Sequence, residues 1–380
     1  MVSVNLIGWP NLTAGIGQHM RSVASALVRA GIEFEAYDVL PHCFKDISIF
    51  SNTEEQLSHY LSSLPLVHNV SLHCLNLNHL LRLPDDYYEK PYNIGYGYYE
   101  MSYLMDEFAE GAEKLDEIWA PTQFVQSVIS QRVDIPVVHV PIPLEIVGER
   151  KDVRKRYNLA SSSFWFYSSF DARSLIERKN PFAAIAAFQK AFGNLGGNVG
   201  LVVKVNSSED SDEQKSALKE LRQMVAGDHR VKLLNVILSR EETLDLLYSV
   251  DCYISLHRAE GLGLGMSEAM SLGTPVIATG YSGNLEFMNS RNSELVGYEY
   301  VVDKTCEKIR NGFEATDQYF WADADVNEAA EKMRKLFLDG VHRKKLADRA
   351  RSDLHKFYSL DKIAALYRRK LDRIGHGLAL

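Results

Sequence analysis

The sequence lacks any apolar run of about 18 residues free of charge, so no segment is expected to cross a bilayer as a helix. Its start, Met1-Val-Ser-Val-Asn-Leu-Ile7, lacks the basic stretch and long apolar core of a signal peptide and reads as a first strand. Cysteine is scarce. Cys43, Cys74, Cys252 and Cys306 are scattered, and no CxxC pair exists, which excludes a disulfide scaffold. Buried free thiols in a reducing, cytoplasmic setting are expected instead. Clustered Lys/Arg is also missing from the first half. Residues 1–150 hold 19 Asp/Glu against 8 Lys/Arg, a balance of −11 within a chain of net charge −8. That argues against nucleic acid as a partner, since phosphate backbones need clustered cations. No His/carboxylate group has metal-ligand spacing. Asp-x-Asp occurs at Asp210-Ser-Asp212 and at Asp323-Ala-Asp325, but neither is expected to end a strand, so no metal is expected.

What is present is enough for two ordinary domains. The 380 residues are 46% hydrophobic and 24% charged. Apolar strands alternate with helical spacing from the start: Val2–Gly8, then Met20–Ala30 ending at Gly31, then Phe34–Leu40. The pattern continues through Tyr92–Gly97, Glu117–Ala120 and Gln123–Gln131 to Val137–Pro143, and implies a doubly wound parallel sheet. Lys151–Tyr157 is expected to begin a linker, and Phe164–Phe170 to open a second sheet with Leu201–Val205, Val231–Asn235 and Cys252–Leu256. Asn180 and Pro181 read as cap and first residue of a helix, Ser239-Arg-Glu-Glu242 as a capping box, and Leu360–Ile374 as an amphipathic helix capped by Ser359.

The most informative stretch is Glu260-Gly-Leu-Gly-Leu-Gly-Met-Ser-Glu268. A strand precedes it and a short helix ending at Gly273 follows. A glycine turn opening a helix aims backbone N–H groups and the positive helix end at its guest, for which phosphate is the natural choice. The flanking carboxylates accept hydrogen bonds from hydroxyls. Phosphate and hydroxyls together point to a nucleotide sugar. Gly15-Ile-Gly17 and Asp38 invite a dinucleotide-binding reading, but Met20 stands where that fingerprint has its last glycine.

His257-Arg-Ala-Glu-Gly-Leu-Gly-Leu264, Gly273–Asn284, Ser169-Phe-Asp171 and Arg178-Lys-Asn-Pro181 resemble the retaining glycosyltransferases of family 4. The likeness is strong over about residues 160–300 and weaker before them. It implies the GT-B fold: two Rossmann-like doubly wound domains facing across a cleft. Residues 1–155 with a returning helix 359–380 would form the acceptor-side domain, and 156–358 the nucleotide-sugar domain.

The resemblance further implies the site. Glu260 would hold the donor sugar, Glu268 the ribose hydroxyls, and Gly261, Gly263, Leu264 and Gly265 the diphosphate. Lys179 would neutralise the leaving diphosphate together with Arg173 or Arg178, which the residue spacing leaves as alternatives. Gly17, Ser169 and Lys204 are further donor-binding candidates, each at or after an expected strand end. Tyr99 and Glu100 stand where the family often has a histidine and would line the sugar wall, with the alternative of a packed aromatic cluster; His257 would support the site. The expected activity is transfer from GDP-mannose or a UDP-hexose to a glycan or lipid-linked oligosaccharide, in polysaccharide or O-antigen assembly. It would proceed without a metal cofactor, at most peripherally at the inner membrane face. A nucleotide-sugar 2-epimerase and a silent sugar-nucleotide sensor are the alternatives on this architecture.

Overall fold

The computed structural model describes residues 2–12, 14–43, 57–193, 198–207, 211–302 and 319–378. Cys306 and Asp210 lie outside them; Cys43, Cys74 and Cys252 are buried free thiols. The chain divides into two compact units, Met1–Leu144 with Lys356–Leu380, and Glu145–His355.

The first unit is a six-stranded sheet of β1 (Val4–Gly8), β2 (Phe34–Asp38), β3 (Val70–His73), β4 (Tyr92–Tyr96), β5 (Glu117–Ala120) and β6 (Val137–His139). Their order is β2-β1-β3-β4-β5-β6, and every pairing is parallel. β6 stops two residues before Pro141, and neither Pro141 nor Pro143 can donate to a ladder. The helix after β1 spans Gly15–Ala30, beginning earlier than the apolar spacing suggests. Glycine-rich Gly15-Ile-Gly17 is its first turn, and Gly31 closes it in the left-handed conformation at φ 64°. The C-terminal helix Leu360–Gly377 packs along it. Arg368 donates from Nε (3.1 Å) and Nη2 (2.5 Å) to the Ala30 carbonyl, capping the helix end with a cation. Ser359 sits at the N-cap of this C-terminal helix without a capping hydrogen bond from its side chain.

The second unit holds β7 (Phe164–Asp171), β8 (Val199–Asn206), β9 (Val231–Asn235), β10 (Cys252–Ser255), β11 (Val276–Thr279) and β12 (Glu294–Val296). Their order, β9-β8-β7-β10-β11-β12, is that of the Rossmann sheet, again all parallel. Both faces are covered, so the strands read as continuous apolar runs. Phe166, Phe188 and Phe192 pack together at tilted ring angles within the core, with Phe337 edge-on against Phe192. Asn180 caps the helix Pro181–Phe192 by accepting from Ala183 N (3.3 Å), and Ser239 and Glu242 form a complete capping box on the helix Arg240–Tyr248. Lys151–Tyr157, expected to begin the linker, is fastened to this unit. Val153 N donates to Ser249 Oγ (2.8 Å) and Arg154 pairs with Asp251 (3.0 Å). β13 (Tyr298–Val302) and β14 (Phe320–Ala324) form a separate two-stranded antiparallel sheet.

Among the described residues no helix is long and apolar enough to cross a membrane.

Candidate functional site

In the second sheet the order reverses between β7 and β10. Ligands of open α/β sheets bind beyond the carboxyl ends of the strands at such a point. The segments leaving these two strands carry Lys179 and Glu260. Lys179 ends the short helix Ile176–Lys179 after β7, and Glu260 lies five residues beyond β10. Their side chains meet: Lys179 Nζ donates to Glu260 Oε1 at 2.5 Å, and Arg178 Nη1 stands 3.7 Å from the same oxygen. Burial pushes the Glu260 carboxyl up, but Lys179 and Arg178 more than offset it and hold the pKa at about 2. Glu260 is therefore a carboxylate at any physiological pH. Arg178 is itself buried, and it braces the turn by donating to the Ala259 carbonyl at 2.9 Å.

The backbone around Glu260 is fixed from a second strand end. After β11, Ser282 Oγ accepts from Glu260 N (2.8 Å) and Gly283 N donates to the Glu260 carbonyl (2.8 Å). Ser282 has φ 76°, a strained conformation for a residue with a side chain, of the kind concentrated at ligand sites. His257 is fully buried; its Nε2 lies 3.1 Å from Asn284 Oδ1 and its Nδ1 3.1 Å from Ser255 Oγ. Burial lowers its pKa. It acts as a neutral peg behind the turn.

Gly263 turns the chain into the helix Leu264–Leu272 with φ 91°, accessible to glycine at little cost. No side chain caps this helix; Met266 N and Ser267 N donate to the Gly263 carbonyl (3.0 and 3.2 Å), and the Leu264 and Gly265 amides precede the first helical bond. Between Ala259 and Leu272, Leu264 and Gly265 are half-buried and the other residues are buried. The Leu264 and Gly265 amides thus belong to the least buried residues of this frame. Gly265 lies over the Tyr253 hydroxyl, which is 3.3 Å from Ser169 Oγ. Glu268 is buried on the same helix and ion-pairs with Arg240, the first residue of the capping-box helix.

Lys204 pairs in register with Ser169 and is only 3% exposed. Its ammonium donates to Asn206, and burial lowers its pKa to about 8, with Asp171 opposing and Arg173 reinforcing the shift. Arg173 grips Asp171 through Nε (3.0 Å) and Nη2 (2.6 Å). Of the two alternative arginines, Arg178 is therefore the one beside Glu260.

The model of the family described as family 4 glycosyltransferases in conflict systems matches residues 173–366, just over half of the chain. The chain belongs to that family. No curated protein sequence matches it significantly. Among solved structures it resembles HepE of Anabaena in complex with UDP and glucose, at 13% identity over 98% of this chain and 100% of that one, with a TM-score of 0.68. A sucrose-phosphate synthase from Thermosynechococcus elongatus gives 13%, 99%, 100% and 0.68 for the same quantities. A UDP-forming α,α-trehalose-phosphate synthase from Burkholderia vietnamiensis gives 11%, 100%, 100% and 0.68. At such identities the likeness is one of fold, and the fold is GT-B.

In this glycosyltransferase the first-unit candidates Gly17 and Tyr99 make contacts within their own unit. Gly17 is buried, and a Cβ there would collide with the Leu12 carbonyl, so its close approach is to the chain's own loop. Tyr99 is 2% exposed and sits in the aromatic cluster that was the alternative to a sugar wall. Its hydroxyl donates to the Tyr103 carbonyl (2.6 Å) and accepts from Met105 N (3.0 Å). Glu100 is half-buried in the loop after β4. His19, which the sequence reads as structural or exposed, is buried against Tyr96 and Tyr98 with Nδ1 2.9 Å from the Tyr98 hydroxyl. Sequence reading missed Arg240. Its partner is 28 residues away, and no local pattern marks the pair.

The reading of Asp323-Ala-Asp325 as away from any strand end is corrected. Asp323 lies on β14 and pairs with Arg258 (2.8 Å), while Asp325 caps the helix Val326–Leu338 through Asn327 N (2.7 Å). Both carboxylates are thus engaged by the fold. Among the described residues no group of three or more His, Cys, Asp or Glu could hold a metal ion.

Proposed function

We propose that this glycosyltransferase moves a hexosyl group from a nucleoside diphosphate sugar to a hydroxyl-bearing glycan acceptor, with retention of anomeric configuration and without a divalent ion. The observation that carries the reading is the Lys179–Glu260 pair beside an uncapped helix N-terminus at the sheet's switch point. The donor sugar's hydroxyls would take over Glu260, which can only accept hydrogen bonds. The diphosphate would take the Leu264 and Gly265 amides and the Lys179 ammonium, with Arg178 close behind. Glu268, oriented by Arg240, would accept the ribose hydroxyls. UDP-hexoses are the first donors to test, because HepE is seen with UDP and glucose and the trehalose-phosphate synthase is UDP-forming.

In the chemical step the bond between the anomeric carbon and the β-phosphate oxygen breaks. The acceptor oxygen bonds to the same face of that carbon, and its proton passes to the departing phosphate. No protein nucleophile is needed. The chain supplies orientation and fixed charge, and the lysine's charge matters most as the leaving phosphate becomes more negative. A thermal-shift screen of nucleoside diphosphates tests the binding half of the proposal. A ligand at 100 times its Kd stabilises a binding unit by about 2.7 kcal/mol. One base should stand out, and no shift with any of them would overturn it.

A further inference from the structure

The donor assignment leaves one surface of the second unit unused. In the antiparallel pair β13 and β14, Tyr298 faces Ala324, Tyr300 faces Ala322 and Val302 faces Phe320, all on one side. The other side carries Val301 with Trp321 and Glu299 with Asp323. That second side is clamped to the Glu260 turn. Arg258 donates to Asp323 at 2.8 Å and lies over the Trp321 ring, and Ala322 N donates to the Arg258 carbonyl at 3.0 Å.

The first side instead displays a ladder of rings packed edge to face, with Tyr298, Tyr281 and Phe320 inclined at 70°, 82° and 71° to Tyr300. Tyr281 stands 5.4 Å from Tyr298 and 5.8 Å from Tyr300, and Tyr300 stands 4.6 Å from Phe320. The ladder runs from buried to open: Tyr281 is 8% exposed and Tyr300 60%. Its buried end belongs to the site. Tyr281 precedes Ser282, whose hydroxyl accepts from Glu260 N, and the Tyr281 carbonyl lies 3.3 Å from His257 Nε2. The ladder is thus continuous with the turn that would hold the donor sugar.

Each phenol offers a flat apolar face and a hydroxyl rim, and the Tyr298 and Tyr300 hydroxyls are 3.3 Å apart at that rim. A pyranose ring has the complementary form, a C–H face bordered by hydroxyls. The donor sugar is assigned to Glu260, so the ring that meets the ladder belongs to the other substrate. We propose that the exposed ring of Tyr300, flanked edge to face by Tyr298 and Tyr281, stacks against a pyranose ring of the acceptor glycan. This inference rests on the glycosyltransferase reading and names the residues that would hold the acceptor.

The test uses the full chain and cellotetraose, whose glucose rings present axial C–H bonds on both faces and so probe stacking itself. Saturation-transfer NMR should show magnetisation passing from the protein to the sugar C–H protons. Tyr300→Ala should reduce that signal at least threefold, and Tyr300→Phe should restore most of it. The melting temperature should stay unchanged, since the residue is largely exposed. Release of nucleoside diphosphate from the donor without acceptor should be unaffected in both variants. No transfer to cellotetraose in the wild type, or equal transfer in Tyr300→Ala, would overturn the stacking role. Failure of donor turnover in the wild type would instead strike the glycosyltransferase reading, while the NMR arm still decides the stacking role.

Discussion

Lys179 and Glu260 meet at 2.5 Å, although 81 residues separate them, because β7 and β10 are neighbours where the sheet reverses order. If Lys179 serves the departing diphosphate, its charge is worth more in the transition state than in the ground state, and its loss appears in kcat. Lys179→Ala should lower kcat by about 10²-fold or more. Lys179→Arg should recover only part, since a forked guanidinium replaces a compact charge. Steady-state kinetics beside a thermal melt measure this. Near-normal kcat in a folded Lys179→Ala protein would remove the residue from the mechanism.

The same pair has a pH signature. The Glu260 carboxyl is depressed from 4.5 to about 2 in the folded chain. A depressed carboxyl contributes stability that is complete above its unfolded pKa and lost as pH falls through the folded one. Glu260→Gln should therefore melt below the wild type at pH 6, by at most about 3 kcal/mol of stability. The difference should close between pH 4.5 and pH 2. A gap that stays constant down to pH 3 would contradict the assigned electrostatics.

Glu268 and Arg240 form the second pair. Removing Glu268 should weaken nucleoside diphosphate binding by about 1.5–3 kcal/mol, the cost of a lost charged hydrogen-bond partner. Arg240→Ala leaves a buried carboxylate without its cation, so it should lower the melting temperature more than Glu268→Ala does. Calorimetric titration and melts of both variants and the double variant read these effects. Equal affinity for the diphosphate in Glu268→Ala would show that the ribose is held elsewhere.

Lys204 opposes stability. Its pKa falls from 10.5 to about 8 because burial disfavours the ammonium. The folded chain binds fewer protons than the unfolded one between these values, so stability rises with pH from 8 to 10.5 and the penalty is full below 8. Lys204→Met should raise the melting temperature at pH 7 while weakening donor binding. A variant that is less stable at pH 7, or that binds donor as well as the wild type, would contradict this.

The elements around the site were legible because their signals are local. Asn180 and Pro181 start a helix by capping and a preset φ, Ser239 and Glu242 close a capping box, and Gly273 ends its helix in the left-handed conformation. The start of the first helix was not legible. Two glycines in its first turn weaken any propensity argument, and only the packing of Gly17 on Leu12 makes them fit. The partners of the charged groups were equally hidden. Apolar periodicity places Glu268 on a helix, but only the sheet order brings Arg240 to it. The strand β14 was missed for a related reason. Trp321 and Asp323 face the Glu260 turn through Arg258, so its polar face is satisfied by a residue 65 positions away.

The most direct test of the central claim is nucleoside diphosphate release from UDP-glucose, UDP-N-acetylglucosamine and GDP-mannose, without acceptor and in excess EDTA. It compares wild type with Lys179→Ala. The account predicts slow release from one donor in the wild type, untouched by EDTA, and a loss of about 10²-fold in the variant. Release that needs Mg²⁺ or Mn²⁺, or that is the same in both proteins, would contradict a site in which lysine and arginine carry the charge of the leaving group.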